Sequence, residues 1–278
     1  LQAFQQLSNS KIDKFVTSLG ITPEYLGSSR YINEAHSIGG FTGVSPVQLA
    51  NAYSAFGNGG YFTEAHSINK IVYKNGSEDD VVDFNFEKKR VMKDTTAYMI
   101  SSMLKKVTNS SIKVEGTEIS TKTGTSSYDS NTLKKLKLSN NVIQDAWTVT
   151  FTKDYSVAIW YGYDNLTKKT YNTSSHAWSE RTKIQKAIVT KVMEKNSTFN
   201  IPSGIVKSKV VVGTNPPKLP NASTPSSKVQ THLFIKGTEP TSTVYYSPKV
   251  ETKSEEDTKE SAEESTEEKI EIPDILEP

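Results

Sequence analysis

The stretch DAWTVTFTKDYSVAIWYGYDN, residues 145–165, decides the fold. Trp147, Val149 and Phe151 alternate with threonines, Lys153 and Asp154 supply a turn, and Val157, Ile159 and Tyr161 resume the alternation. A period of two built from β-branched and aromatic residues marks an antiparallel strand pair with one face of each strand inward. Aromatic residues spaced in this way, here Trp147, Trp160 and Tyr163, read as core before they read as the lining of a groove.

Working outward, ISTKTGTS (residues 119–126) gives a further strand, and a polar loop connects it to about Gln144. Beyond the hairpin, Ser179 offers a helix cap, with Ile184, Ala187, Ile188 and Val192 set to cover one sheet face. Upstream, Asp94 caps a helix running to about Val107, with Met99, Ile100, Met103, Leu104 and Val107 as its apolar stripe. Ser45, Pro46 and Gln48 form an N-terminal capping box. The helix they start carries Leu49, Ala52, Tyr53 and Phe56 and stops at Gly57 and the Gly59-Gly60 pair. HSINKIVYKNGSEDD (66–80) carries the hairpin dipeptide Asn75-Gly76, and residues 1–20 read as helical up to Gly20, with Ser8 in a turn between helices. Helices, three sheet strands and a closing helix make an α+β domain ending near residue 195.

Residues 196–250 read as a linker with a small extension: a short strand in IPSGIVKSKVVVG, the proline-rich TNPPKLPNASTPSSK, and the ordered patch HLFIKGTEPT. Residues 251–278 hold 12 acidic and 3 basic side chains, which leaves 30 basic and 19 acidic residues before them. A net charge of +2 thus conceals a body of net +11 and a tail of net −9, and the tail composition predicts a disordered, solvated spacer. The basic residues are scattered and not interleaved with aromatics, so no nucleic-acid partner is expected. There is no cysteine, which removes disulfides and thiolate metal sites. His36, His66, His176 and His232 lie far apart without ligand spacing, so neither a metal nor a cofactor is expected. No run of 18 apolar residues spans a membrane, and the chain opens without methionine inside the amphipathic pattern of Leu1, Phe4 and Leu7, the pattern of a fragment.

The chemistry concentrates at Lys122-Thr123-Gly124-Thr125. On a strand, Lys122 and Gly124 point one way and Thr123 and Thr125 the other. The extended backbone can pair with a peptide laid alongside, Gly124 admits it without a Cβ in the way, the threonine hydroxyls can hold a carboxylate, and Lys122 adds charge. A nucleophile is lacking.

This string resembles the third signature of the penicillin-binding transpeptidase family, which accompanies an S-x-x-K and an S-x-N motif. GVSPVQLANAYSAFGNGG (43–60), RVMKDTTAYMISSML (90–104) and residues 145–165 resemble the segments that flank it in the bifunctional class A type of Gram-positive bacteria, in the same order; LFIKGTEPT (233–241) resembles an element found after the domain. The resemblance implies a penicillin-binding/serine β-lactamase-like fold: an antiparallel sheet flanked by helices, incomplete at its N-terminus. It also implies a serine that attacks the D-Ala-D-Ala terminus of a peptidoglycan stem peptide, an amine that resolves the acyl-enzyme, and acylation of the same serine by β-lactams. Lys122 and Thr125 take catalytic roles by this resemblance: Lys122 tunes proton transfer, and the Thr125 N–H forms half of an oxyanion hole. Thr123, Gly124, Thr125 and Ser126 bind substrate. The S-x-x-K strings starting at Ser8, Ser67, Ser102 and Ser110 sit in an inter-helix turn, a hairpin, late in a helix and just before the strand. None fits the family position. LQAFQQL (1–7) resembles the segment directly C-terminal to S-x-N, so both missing motifs are expected upstream of Leu1, with a glycosyltransferase domain and a membrane anchor. That places the protein at the extracytoplasmic face of the cell membrane, working on the cell wall. A non-enzymatic module of the same fold that senses β-lactams or muropeptides is the alternative; a serine β-lactamase fits the long extension less well.

Overall fold

A computed structural model describes residues 1–246 apart from 23, 27–28, 42 and 75–80, with backbone alone at 25–26 and 29–30. The acidic tail and the Asn75-Gly76 turn lie outside the described residues. Two compact units divide the chain, Leu1–Ile205 and the residues from Val206 onward. Residues 196–205, which composition assigns to the extension, belong to the first unit because hydrogen bonds tie them back. Glu118 N–H donates to Ser197 O (2.8 Å), Phe199 N–H to Glu118 Oε2 (2.9 Å), and Ser197 Oγ to Asp154 Oδ2 (2.5 Å).

The sheet of the first unit is built on β8 (Val142–Phe151). Along one side it pairs antiparallel with β7 (Ser120–Ser127); along the other it pairs with β9 (Ser156–Gly162) and then β10 (Asn172–Thr173). The hairpin read from the sequence is present. Its turn is fixed by Thr152, whose Oγ1 accepts from the N–H groups of Asp154 and Tyr155 (both 3.1 Å). The register adds a feature that alternation alone does not give. Trp147 stands opposite Trp160 and Thr150 opposite Val157, so the apolar set of β8 and that of Val157, Ile159 and Tyr161 face opposite sides. Each sheet face therefore mixes threonines with apolar side chains.

Helix α3 (Pro46–Gly57) starts at the capping box: Gln48 N–H donates to Ser45 Oγ, and Ser45 N–H donates to Gln48 Oε1. Earlier in the chain, α1 (Gln2–Gln5) and α2 (Asn9–Ser18) are separate helices, with Ser8 capping the second. Tyr53 and Phe56 of α3 pack on Phe151, which is fully buried, with ring centroids 6.0 and 6.3 Å away. At its C-terminal end α3 comes down on the backbone just past β8: a Cβ at Gly57 would lie 2.2 Å from Thr152 O. Gly57→Ala should therefore cost about 1–3 kcal/mol of stability, the range for forced overpacking, read as a lower denaturation midpoint. An unchanged midpoint would mean that the helix end can back away.

Helix α4 (Asp94–Lys105) packs against α3 and β7 through Ala97, Tyr98 and Ser101, whereas Met103 and Val107 of the expected apolar stripe are about half exposed. Ser101 explains the choice of face. Its hydroxyl bonds to Ala97 O and Phe56 O, and Ser120 Oγ donates to Ser101 O (2.8 Å), so small polar residues let helix and strand approach closely. A core of Leu19, Ala52, Ala55, Phe62, Met92 and Ala97 fills this helical side.

Helix α6 (Ser174–Val192) covers the other sheet face and begins before Ser179, which lies inside it. Its buried stripe is Ala177, Arg181, Gln185 and Val189, while Ile184 and Val192 are exposed. Hydrogen bonding accounts for this, because the sheet face beneath is rich in threonine. Gln185 Nε2 donates to Thr150 Oγ1 (2.6 Å), and Arg181 Nη1 donates to Trp147 O (2.9 Å). Burial without a carboxylate partner among the described residues lowers the Arg181 guanidinium from its ordinary pKa. The polar loop expected after β7 contains a further helix, α5 (Ser130–Leu136), capped by Asp129, which accepts from Asn131 and Thr132 N–H; the helix buries Leu133.

Five shorter pairs complete the described chain. In the first unit β1 (Glu24–Leu26) joins β2 (Ser29–Tyr31), β3 (Tyr61–Phe62) joins β6 (Lys89–Arg90), and β4 (Lys70–Val72) joins β5 (Val81–Asp83). In the second unit, whose first strand β11 (Ile205–Val211) starts one residue before the boundary, β11 joins β13 (Val229–Ile235), and β12 (Leu219–Pro220) runs parallel to β14 (Thr243–Val244). The proline-rich stretch 214–228 thus contributes β12 and a 3-10 turn, Ser226–Lys228.

Candidate active site

Strand β7 ends the sheet: among the described residues its outer edge pairs with no strand. Ser120, Lys122, Gly124 and Ser126 share the face on which α3 and α4 pack, since Ser120 bonds to α4 and Phe151, opposite it, meets α3. Thr121, Thr123 and Thr125 share the α6 face, where Thr121 Oγ1 lies 3.4 Å from Gln185 Nε2 and 3.1 Å from Thr108 Oγ1. Hydrogen bonds hold the buried first residues of the strand from both sides, and from Lys122 onward the strand emerges to solvent. Lys122 and the hydroxyls of Thr123 and Thr125 therefore lie on opposite faces and meet only along the open edge.

Lys122 is exposed, and its ammonium donates to Thr123 O. Thr123, Gly124 and Ser126 are half-buried, and Thr125 is exposed. Gly124 has an ordinary backbone conformation, and a Cβ built there would meet nothing closer than Trp147 Cβ at 3.5 Å, a normal contact. Among the described residues nothing requires a glycine at this position.

Beside Gly124 the same face carries Trp147 and Trp160, half-buried, with ring centroids 6.4 Å apart; Tyr163 is exposed. These aromatics are not the packed core that alternation suggests. Trp147 flanks Gly124 directly, its Cβ 3.5 Å from the position of a Cβ there, and Trp160 stands opposite Trp147 on the next strand. Asp145, which sequence reasoning passed over, completes the row: it accepts from Ser126 Oγ and, through Oδ1, from Trp160 Nε1 (2.7 Å). Counting back from the Lys153-Asp154 turn would have placed it there.

The S-x-x-K serines lie outside strand β7. Ser8 Oγ accepts from Lys11 N–H as the α2 cap, Ser67 precedes β4, Ser102 is half-buried within α4, and Ser110 is exposed in a turn before β7. Lys105, which ends one of these strings, is paired with Glu118. The edge by itself can bind an extended, anionic ligand through backbone groups, one ammonium and flanking hydroxyls.

The sequence is similar to known proteins of one family. Residues 5–203 match the family model "Penicillin binding protein transpeptidase domain", and residues 201–247 match "Penicillin-binding protein 1A, C-terminal domain". Penicillin-binding protein 1A/1B of Bacillus subtilis (strain 168) is 35% identical over 263 residues, 92% of this chain and 28% of that protein. Penicillin-binding protein 1A of Streptococcus pneumoniae (strain ATCC BAA-255 / R6) is 33% identical over 62% of this chain and 24% of its own length. The chain thus spans about a quarter of the length of these relatives. Among solved structures, penicillin-binding protein A from Mycobacterium tuberculosis aligns over 65% of this chain and 46% of its own, at 15% identity and a TM-score of 0.45. Among the described residues no helix is long and apolar enough to cross a membrane. The family match extends over the sheet, both helical layers and the strand edge, and on that basis the chain belongs to the penicillin-binding protein transpeptidase family, with the C-terminal domain of the 1A type after it.

Proposed function

We propose that this chain supplies the substrate-binding strand of a peptidoglycan D,D-transpeptidase that cross-links stem peptides through a serine acyl-enzyme. The observation that carries the reading is Gly124: a mid-strand glycine for which the packing gives no reason, on an open edge between an exposed lysine and a threonine. In this reading a D-Ala-D-Ala stem peptide, or a β-lactam in its place, lies along β7 as an added strand. Thr123 and Thr125 hold its carboxylate, Lys122 supplies positive charge and tunes proton transfer at the serine, and the Thr125 N–H stabilises the developing oxyanion. The carbonyl carbon is attacked by the serine oxygen, D-alanine leaves with a proton, and an amine of a second strand displaces the serine to form the cross-link.

The serine and the S-x-N residues come from sequence preceding Leu1, where an anchor and a glycosyltransferase domain place the site outside the cytoplasmic membrane, facing the cell wall. Family membership supports this reading, and so do the names of the relatives. Covalent labelling with a fluorescent penicillin tests it. The full-length protein should be labelled at a serine upstream of this sequence, and the isolated chain Leu1–Pro278 should not. Labelling of the isolated chain would place the nucleophile within it; no labelling of the full-length protein would overturn the reading.

A further inference from the structure

Lys122 accounts for one end of the β7 edge; the other end is built around a charge of opposite sign. Asp145 lies on β8 directly opposite Ser126, two residues past Gly124, or about 7 Å along the strand. Both of its oxygens are engaged from the site face, Oδ2 by the Ser126 hydroxyl and Oδ1 by the Trp160 indole N–H at 2.7 Å. No cation pairs with it among the described residues.

Two backbone features serve this arrangement. Between Ser126 and Ser127 the β7–β8 register shifts, with Ser127 opposite Ile143 and Gln144 left without a partner, a bulge of the kind that re-aims a neighbouring side chain. On β9, Gly162 stands opposite Asp145, and a Cβ there would lie 2.6 Å from Trp160 Cζ2 and 3.0 Å from Gln144 O. The glycine leaves a slot in which the indole lies down and reaches the carboxylate. Tyr128, just past the strand, feels the same charge: its phenol pKa is raised first by burial and then by Asp145.

The consequence lies in the proton of Ser126. A serine hydroxyl has one hydrogen to give, and an ionised carboxylate can only accept. With that hydrogen committed to Asp145, Ser126 Oγ presents lone pairs alone to anything bound along the edge. We propose that Asp145 is a positioning residue that fixes Ser126 as a hydrogen-bond acceptor, so that this end of the edge selects ligands carrying a cationic N–H donor and disfavours anionic ones. The edge is then polar along its length: Lys122 and the threonines meet a ligand carboxylate, and Ser126 with Asp145 meets an ammonium at the other end of the ligand. Ser126 accordingly does not donate to the substrate carboxylate. This inference rests on the transpeptidase reading above.

Three penicillins that share one nucleus and differ only at the side-chain α-carbon (hydrogen, ammonium or carboxylate) provide the test with the full-length protein. The quantity read is the ratio of second-order acylation rate constants, ammonium form over carboxylate form, which cancels any loss common to both. In Asp145→Asn the charge is gone and the amide N–H can donate to Ser126, turning its hydrogen outward. The ratio should fall about tenfold, as for the loss of a charge-assisted hydrogen bond. Ser126→Ala, which removes the acceptor and keeps the charge, should lower the ratio by a smaller factor, and it decides the matter if the Asn variant does not fold. A ratio within twofold of wild type in the Asn variant, or in Ser126→Ala where that variant decides, overturns the role of Asp145. Failure of the unmodified protein to react with any of the three overturns the transpeptidase reading instead.

Discussion

Lys122→Ala in the full-length protein should slow acylation by a penicillin roughly 10²–10³-fold, the loss seen when one preorganised electrostatic group is taken from a transition state. Stability should change by about 0.5 kcal/mol or less, as for surface positions outside the packing. Both expectations derive from the position of the side chain. It is exposed, its ammonium bonds to the neighbouring Thr123 carbonyl, and the strand is anchored by other residues, Ser120 to α4 and Thr121 to α6. Rapid-mixing measurements with a fluorescent penicillin, beside a thermal melt, separate the two effects. Acylation within threefold of wild type would remove this ammonium from the chemistry, whereas a large drop in melting temperature would make it a structural residue.

Gly124→Ala should also leave the fold intact and reduce acylation roughly 10²-fold, the scale of a misplacement of about 1 Å at a reacting centre. The new methyl group has room inside the protein, with its nearest neighbour at 3.5 Å, and it sits on the Lys122 face in the middle of the open edge. In the proposed pose, a ligand that adds to this edge and leans over the Lys122 face meets it. Gly57 makes the comparison instructive: there a Cβ lies 2.2 Å from Thr152 O, so the same substitution should destabilise the fold. The packing requires the glycine at 57 and leaves room for a side chain at 124. Full acylation activity in Gly124→Ala would show that the ligand does not approach along the strand.

The sequence made some of this legible and hid the rest for identifiable reasons. The β8–β9 hairpin is readable because Trp147, Val149 and Phe151 alternate with threonines and Lys153-Asp154 marks the turn, and α3 because its capping box is complete. The buried faces of α4 and α6 are not, because hydropathy periodicity looks for apolar stripes and both helices turn small or polar residues inward. Ser101 bonds to Phe56 O and accepts from Ser120, and Gln185 bonds to Thr150, so hydrogen bonding and close approach settle the orientation. Helix α5 buries little beyond Leu133, and its one strong signal is Asp129 as a cap. At the site, Lys122 to Thr125 stand out as a string of four. Asp145 does not, since its partners Ser126 and Trp160 are 19 and 15 residues away and only the strand register brings them together.

An unpaired sheet edge is also an invitation to other copies of the same strand, the usual seed of aggregation. Strand β7 carries no large apolar residue in its eight positions: it is serine, threonine, glycine and one lysine, STKTGTSS. That composition has low intrinsic appetite for self-pairing, and an ammonium on the rim repels a second identical edge. Lys122 thereby has the position of a gatekeeper on this edge, so Lys122→Ala should make the strand more prone to pair with its own copies, independently of any effect on acylation.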